Sequence, residues 1–415
     1  MTWLRSERGI ETIIFLLALA LRLAWVGAIE WRGGALFGPD APSYDTMATN
    51  LLAGNGLQME SWGGLFLDPQ QTVTVRAFRP PLLPIVLAGV YGVFGHQYWA
   101  ARVVMALLSA ATCIVVLRIA RRLFGPTPAA VAGLLMAIYP KFVYYGGEPV
   151  TETLCTLMLA LAVLVLLAAH DGEGGLWRWL VGGLLLGLGA LSRSSLLAFP
   201  AAAVLWVLVA RRRKARALGQ AGLLLVGFLL AMAPWWIRNG NVFGHFMPAT
   251  TEGGYTLWVT NNPRATGGGH CFMPEPPGTF EGMGEYEIDR TFQRMGADYI
   301  REHPGHFLRL AAAKFVDFWR LWPHADEPGV GLPAAIAAGL SFTPLLLLAL
   351  WGALVTRARW RPLLLLYLLF LYYTSLHMVY MSITRYRVPI EPYLIVLAAA
   401  ALVDLAGRAR PRVDK

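Results

Sequence analysis

The sequence predicts an all-α protein that crosses a membrane many times. Of its 415 residues, 56% are hydrophobic and only 14% are charged, a balance that excludes a disordered or an ordinary soluble protein. Long apolar runs recur along the chain, and short basic clusters separate them. The formal charge of +10 is spread over these short clusters, which is typical of membrane orientation and does not indicate nucleic-acid binding.

About ten apolar runs are long enough to cross a bilayer. They occupy residues 10–29, 97–119, 127–146, 150–169, 176–191, 195–210, 218–237, 333–355, 362–381 and 389–406. A further run, residues 80–95, is shorter and begins with prolines. If this run stays at the surface, the basic clusters all fall on one side of the membrane, as the positive-inside rule requires. We therefore expect 80–95 to form an interfacial or re-entrant helix.

This topology divides the chain into three predicted modules. They are an N-terminal membrane part (1–237) that includes a first outer loop (30–96), a second outer loop (238–332) and a three-span C-terminal part (333–415). The first run is expected to be an uncleaved anchor in the inner (plasma) membrane, with both termini in the cytosol. Because the cytosolic loops are short, we expect the functional site to face outside.

The first outer loop carries two candidate site residues. The apolar spacing around Tyr44 predicts a short amphipathic helix on the membrane surface, with Asp45 in its first turn favoured by the helix dipole. Asp40 lies just before this helix, where it is either a general base beside a membrane-anchored substrate or a turn cap. Arg79 precedes Pro80 at headgroup depth, where it either binds a phosphate or extends into the headgroups.

Three charged residues fall inside or at the ends of apolar runs. Glu152 stands one turn into an apolar run, where an ionisable side chain is costly and usually faces a partner or a cavity. Arg193, at the outer end of a later run, is a candidate partner of Glu152 or a phosphate ligand. Arg22, in the middle of the first run, belongs either to a structural ion pair or to a functional site.

The second outer loop begins with an aromatic pair followed by Arg238 and Asn239, and its Gly-rich stretch near Asn262 is typical of a flexible binding loop. Residues 303–323 have the apolar stripe of an amphipathic helix, which we expect to lie on the outer leaflet. Further along, Arg385 and Arg387 stand at the outer face between the last two runs, where they either clamp a lipid phosphate or contact headgroups.

Histidines and cysteines give no recognisable ligand set. The second outer loop contains His270, Cys271, His303, His306 and His324. Their spacing matches no compact metal site. The other two cysteines, Cys113 and Cys155, lie in apolar runs, so no disulfide is expected.

Taken in order, these segments resemble the bacterial branch of the polyprenyl-phosphate-sugar-dependent glycosyltransferases of the GT-C superfold, which includes the protein O-mannosyltransferases (glycosyltransferase family 39) and lipid A aminoarabinose transferase. The similar segments are DAPSYDTMATNLLAGNG at 40–56, RPPL at 79–82, FG at 94–95, AAR at 100–102, TETL at 151–154, PW at 234–235, RN at 238–239, and RY at 385–386 with Pro389 and Pro392. The family often carries Asp-Glu in the first loop, whereas Ala41 follows Asp40 here, which concentrates the chemistry on Asp40.

The resemblance implies a GT-C bundle of about ten transmembrane helices with periplasmic interfacial helices. It implies an enzyme that moves a hexosyl or pentosyl group from a polyprenyl phosphate to a hydroxyl or amine of a lipid, glycan or protein outside the cytosol. Inverting displacement with Asp40 as base is expected, with Glu152 orienting a substrate or sharing that role. Donor phosphate ligands are drawn from Arg79, Arg193, Arg238, Arg385 and Arg387, and substrate contacts from Tyr44, Asn239 and Asn262. No cofactor is certain, and a divalent metal is not indicated.

A transporter or flippase of a lipid-linked or anionic substrate is the alternative. It would use the same arginines for binding and Arg22 as part of a path across the membrane. No inverted repeat is visible, and the loops are distributed very unevenly, which favours the enzyme.

Overall fold

The computed structural model describes residues 7–36, 40–62, 72–173, 175–211, 213–267, 279–323 and 331–409. In these residues the chain forms sixteen α-helices and one two-stranded antiparallel sheet. The helices are α1 (Glu7–Trp31), α2 (Ala41–Leu52), α3 (Leu82–Phe94), α4 (Tyr98–Phe124), α5 (Pro126–Ile138), α6 (Pro140–Tyr145), α7 (Thr151–His170), α8 (Trp177–Ser192), α9 (Phe199–Ala210), α10 (Lys214–Phe243), α11 (Glu252–Val259), α12 (Glu285–Glu302), α13 (Pro304–Phe318), α14 (Leu332–Val355), α15 (Trp360–Val379) and α16 (Glu391–Arg408). The strands are β1 (Met59–Trp62) and β2 (Thr72–Val75).

Seven of these helices are long and apolar enough to cross a bilayer, which makes the chain a multi-pass membrane protein. They are α1, α4, α7, α10, α14, α15 and α16. Four shorter apolar segments contain α3, α5, α8 and α9. Of the ten predicted spans, seven therefore coincide with long helices and three with shorter ones. Helix α3, which covers the run expected not to cross, is about 20 Å long, well under the roughly 30 Å of a hydrocarbon core.

The predicted span at 127–146 is not one unbroken helix, because the chain breaks between α5 and α6. Pro140 has no N–H to donate to the carbonyl oxygen of Met136, where a continuous helix would need one. Arg22 of α1 supplies hydrogen bonds there instead, to the carbonyl oxygens of Ala137 at 3.1 Å and Met136 at 3.5 Å. Its buried guanidinium therefore donates hydrogen bonds to neutral groups of the bundle. The structural ion pair that was one of the two expectations for Arg22 is not found among the described residues.

Helices α8 and α10 cross in direct backbone contact at two glycines. A Cβ atom on Gly183 would stand 1.9 Å from the carbonyl oxygen of Leu224, and one on Gly227 would stand 1.9 Å from that of Leu180. Small residues at such crossings let membrane helices approach closely. This crossing fixes α8, whose last residue directly precedes Arg193.

The first outer loop contains the predicted surface helix, α2, followed by a β-hairpin that the sequence did not predict. Met59 of β1 pairs with Val75 of β2. Asp45 is buried in α2 and does more than meet the helix dipole. Its Oδ1 accepts a hydrogen bond from the Tyr91 hydroxyl at 2.7 Å and lies 2.8 Å from Nε2 of His96. This carboxylate thereby joins α2 to the end of α3.

The second outer loop forms α11, α12 and α13. The amphipathic helix predicted at 303–323 is present as α13, which ends at Phe318, and α12 precedes it without having been predicted. Lys314 of α13 is fully buried, and its Nζ donates to Oδ1 of Asn261 at 3.0 Å and to the carbonyl oxygen of Val379 at 2.9 Å. Burial lowers the pKa of Lys314 to about 7. This helix thus packs against α11 and α15 and does not simply rest on lipid.

Of the candidate metal ligands, His270, Cys271 and His324 lie outside the described residues. Within the described part of the chain, no group of three or more His, Cys, Asp or Glu side chains is arranged to hold a metal ion.

Candidate functional site

Two carboxylates that are far apart in the sequence meet at one arginine. Arg385 lies in the 3-10 helix Thr384–Ile390, just ahead of α16. Its Nη1 donates to Oδ2 of Asp40 at 2.6 Å, while Nε and Nη2 donate to the two carboxylate oxygens of Glu152 at 2.5 and 3.0 Å. The N-terminal end of α2, the first turn of α7 and the turn before α16 therefore converge at this point.

Two further arginines and a third carboxylate complete the group. Arg79 donates to Oδ1 of Asp40 at 2.7 Å and to Oε1 of Glu252, the first residue of α11, at 2.8 Å. Arg193 donates to Oε1 of Glu152 at 2.7 Å. We define the charge cluster as Asp40, Arg79, Glu152, Arg193, Glu252 and Arg385. It contains three cations and three anions, so its formal charge is zero.

Aromatic rings line the arginines of the charge cluster. The guanidinium carbon of Arg79 lies 5.6 Å from the ring centre of Tyr44, and that of Arg193 lies 4.7 Å from the ring centre of Tyr386. Such contacts stabilise a cation while leaving its in-plane N–H groups available to acceptors. The Nε of Arg79 is buried and has no hydrogen-bond partner among the described residues.

A buried carboxylate of α12 links the two outer loops by hydrogen bonds. Glu285 accepts hydrogen bonds from the backbone N–H groups of Arg76 at 2.5 Å and Ala77 at 2.9 Å, and from the hydroxyl of Thr251 at 2.6 Å. Arg76 and Ala77 lie just before Arg79 in the chain, and Thr251 lies just before Glu252. Arg79 and Glu252 pair with each other in the charge cluster. Burial raises the pKa of Glu285, although these hydrogen bonds oppose the shift.

The electrostatics of the charge cluster are clearest at Asp40. Burial alone would raise the pKa of this carboxyl group, but the charges of Arg79, Arg385 and Arg193 outweigh it and lower the pKa to about 2. Asp40 is therefore ionised, and both of its oxygens accept hydrogen bonds from a guanidinium. Its side chain is 22% exposed, whereas that of Glu152 is completely buried.

Of the ten residues predicted from the sequence, six lie in or against this group. They are Asp40, Tyr44, Arg79, Glu152, Arg193 and Arg385. Glu252 was not predicted, since an acid at a helix N-terminus usually reflects the helix dipole alone. Glu285 was also missed, and nothing in a single sequence distinguishes it from its exposed acidic neighbours on α12.

The other four predicted residues make different contacts. Arg387 is buried, pairs with Glu391 at 2.7 Å and donates to two backbone carbonyl groups beside the end of α13. Arg238 donates to the carbonyl oxygens of Arg76 at 2.9 Å and Leu57 at 3.0 Å, and to the side-chain oxygen of Asn239 at 2.9 Å. Both arginines therefore join backbone segments together.

The two predicted asparagines are fully buried. Nδ2 of Asn239 has no hydrogen-bond partner among the described residues. Asn262 donates to the Trp258 carbonyl oxygen at 3.1 Å and accepts from the N–H of Arg264 at 2.8 Å. These contacts give Asn262 a role in ending α11 and do not bring it to the charge cluster.

A sequence family matches a large segment of the chain. Residues 78–237 match the family described as dolichyl-phosphate-mannose-protein mannosyltransferase. This segment contains Arg79, Glu152 and Arg193, whereas Asp40 and Arg385 lie outside it. No curated protein sequence matches this chain closely enough to count as a relative.

Three solved structures are among those similar to this chain. The oligosaccharyltransferase of Archaeoglobus fulgidus in the apo form has a TM-score of 0.61 and 14% identity, covering 96% of this chain and 50% of that one. The oligosaccharyltransferase AglB of the same organism, in complex with an inhibitory peptide and a dolichol-phosphate, has a TM-score of 0.57 and 14% identity, covering 100% and 53%. ArnT from Cupriavidus metallidurans bound to undecaprenyl phosphate has a TM-score of 0.44 and 15% identity, covering 96% and 77%.

The chain spans about half the length of the solved oligosaccharyltransferases. Nearly all of this chain has the fold of the matching half of the oligosaccharyltransferase. The GT-C-like architecture expected from the sequence is therefore confirmed. The segment 78–237, which is less than half of the chain, is similar to the dolichyl-phosphate-mannose-protein mannosyltransferase family.

Proposed function

We propose that this protein is a membrane glycosyltransferase that moves a sugar from a polyprenyl-phosphate donor to a hydroxyl or amine acceptor on the outer side of the membrane. The observation that carries the proposal is the convergence of Asp40 and Glu152 on Arg385, with Arg79 and Arg193 alongside. A carboxylate next to three cations suits a reaction that needs a base and releases a phosphate.

In the proposed reaction, the acceptor O–H or N–H gives its proton to Asp40 while the acceptor atom attacks the anomeric carbon. The bond between that carbon and the phosphate oxygen breaks, and its electron pair leaves on the polyprenyl phosphate. Attack from the side opposite the phosphate inverts the anomeric carbon. Arg79, Arg193 and Arg385 neutralise the departing charge, and Glu152 holds two of these arginines in place.

The decisive test is transfer by the purified protein in lipid nanodiscs, using a radiolabelled polyprenyl-phosphate sugar and a membrane extract as acceptor source. Asp40→Asn should lower the transfer rate by roughly 10²- to 10⁴-fold, which is the range that a positioned base contributes. Asp45→Asn is the matched control, because Asp45 lies on the same helix but pairs with Tyr91 and His96. It should transfer at about the wild-type rate.

Two results would contradict the proposal. Wild-type protein that yields no labelled product would exclude glycosyl transfer from the tested donor, and full activity of Asp40→Asn would exclude Asp40 as the base. Movement of the donor between leaflets without product would favour a transporter instead. The hydrogen bonds of Arg22 to neutral groups between α1, α4 and α5 give the transporter no charged path at that depth.

A further inference from the structure

In the charge cluster, every arginine that would bind the donor phosphate is already paired with a carboxylate. Arg79 pairs with Asp40 and Glu252, Arg385 with Asp40 and Glu152, and Arg193 with Glu152. A phosphate that binds these guanidinium groups must therefore compete with a side-chain carboxylate, because both are oxygen anions that seek the same N–H donors.

The three carboxylates are not equally easy to displace. Glu152 is completely buried, and Arg385 binds both of its oxygens. Asp40 gives one oxygen to Arg79 and the other to Arg385, and its side chain is 22% exposed. Glu252 is 34% exposed and makes one contact, with Arg79. Displacement of Asp40 or Glu252 exposes a carboxylate to water, whereas displacement of Glu152 would leave a buried charge unpaired.

The same contacts make Asp40 a weak base in this arrangement. Both of its oxygens already accept hydrogen bonds from cations, and the three arginines hold its pKa at about 2. Each oxygen has a second lone pair that can take a proton, but its proton affinity falls when a guanidinium neutralises its charge. Separation of Asp40 from Arg79 and Arg385 would therefore make it a stronger base before the reaction begins.

We propose that the donor phosphate itself displaces Asp40 from Arg79 and Arg385, so that donor binding releases the base and must precede productive acceptor binding. The proposal rests on the proposed function, since it names the regulation of that same site. Glu152 keeps Arg385 and Arg193 in position during the exchange, and the free Nε of Arg79 provides one donor that no carboxylate occupies. After transfer, Asp40 gives the proton it has taken to water, returns to the arginines as a carboxylate and helps to expel the polyprenyl phosphate.

Competition of this kind predicts an unusual property of Asp40→Asn. The unliganded variant should melt at a lower temperature than the wild type, because the arginines lose a counter-charge. It should nevertheless bind polyprenyl phosphate about tenfold more tightly or better, since the competing carboxylate is gone. A residue with a merely structural role would lower both stability and affinity.

The test measures polyprenyl-phosphate binding to full-length protein in nanodiscs, by titration and by the ligand-induced rise in melting temperature. Glu252→Gln frees only Arg79 and should give a smaller gain, which keeps the proposal testable if Asp40→Asn does not fold. Asp45→Asn should bind like the wild type. Inorganic phosphate is titrated in parallel and should show the same order of variants, because the exchange involves only the phosphate group.

Unchanged or weaker polyprenyl-phosphate binding by folded Asp40→Asn and Glu252→Gln would overturn the proposal. So would a lack of binding by the wild type. This outcome is separate from the transfer assay. If the wild type transfers sugar but the variants bind the donor no more tightly, the proposed function stands and the displacement of Asp40 is excluded. If the variants bind more tightly but the wild type transfers no sugar, the displacement of Asp40 stands and the proposed function is excluded.

Discussion

At the scale of single residues, Arg385 binds both oxygens of one carboxylate and one oxygen of a second with a single planar guanidinium. Three of its nitrogen atoms donate to Asp40 and Glu152, at distances between 2.5 and 3.0 Å. A lysine offers one point charge and no planar fork, so it could not reproduce this arrangement. The residue type, and not only its charge, is therefore required at this position.

The neighbouring Arg387 shows what a single sequence leaves undecided. Both arginines lie in one short 3-10 helix at the N-terminal end of α16, and the sequence gives them equal weight as phosphate ligands. Arg387 instead finds Glu391 four residues later and the backbone of the chain beside α13. The direction in which each side chain points is set by tertiary packing. Residues near the site were predictable, and so was the pairing of Arg193 with Glu152, but the other partners were not.

A buried carboxylate of α12 yields a prediction on pH. Burial raises the pKa of Asp289 from 3.8 to about 7, although its Oδ1 accepts a hydrogen bond from the N–H of Gly254 at 2.7 Å. Because the folded protein holds this proton more tightly than the unfolded chain, the stability that Asp289 contributes is full below about pH 4 and is lost as the pH rises through 7.

Asp289→Asn removes this titration, so its melting temperature in detergent should depend less steeply on pH between about 4 and 7 than that of the wild type. The substitution removes a pH dependence of the free energy of unfolding of at most about 1.4 kcal/mol per pH unit. Asp298→Asn, at an exposed position on the same helix, should retain the wild-type slope. Equal slopes in all three proteins would show that Asp289 does not titrate in this range.

At the scale of helices and strands, hydrophobic runs predicted where helices lie but not how they join. All ten predicted spans fall on helices, because apolar length is readable from composition. The break at Pro140 was hidden inside one run, and the hairpin of β1 and β2 was missed because its strands have four residues each. Helix crossings depend on which face a glycine occupies, which the sequence alone does not reveal.

The crossing of α8 and α10 gives a prediction for one element. Gly227→Ala places a Cβ atom against a backbone carbonyl oxygen that cannot move aside easily. We expect a loss of about 3 kcal/mol or more, at the upper end for overpacking. Thermal unfolding and the yield of folded protein would measure it.

Gly222→Ala in the same helix is the matched control, since a Cβ atom there meets nothing within 4 Å. Alanine also favours helix over glycine, so this variant should be at least as stable as the wild type. If both variants were equally stable, the close crossing would not exist as described.

At the scale of the whole molecule, orientation is the property on which the proposed function depends. The charge cluster is built mainly from the first outer loop, the second outer loop and the turn before α16, which the positive-inside rule assigns to the outer face. A donor on the outer leaflet could reach these residues only if that assignment is right. The fold alone does not specify which end faces the cytosol.

Single-cysteine labelling in intact cells tests this orientation. In a background with Cys271→Ser, where Cys113 and Cys155 are buried, an impermeant maleimide should label Asn55→Cys and His303→Cys. Gly407→Cys should react only after lysis. Each of these positions is exposed in the structure. The opposite pattern would place the charge cluster in the cytosol and contradict a periplasmic reaction.

The hydrogen bonds of Arg22 have a consequence for how the chain is assembled. Helix α5 ends where Pro140 follows, and α1 supplies the donors that the backbone lacks there. In a lipid environment an unpaired carbonyl group is costly. Helix α5 is therefore not self-sufficient in the bilayer: it becomes a low-energy segment only once α1 is beside it. The C-terminal end of α5 is therefore satisfied by a side chain that comes from a helix more than a hundred residues earlier in the chain.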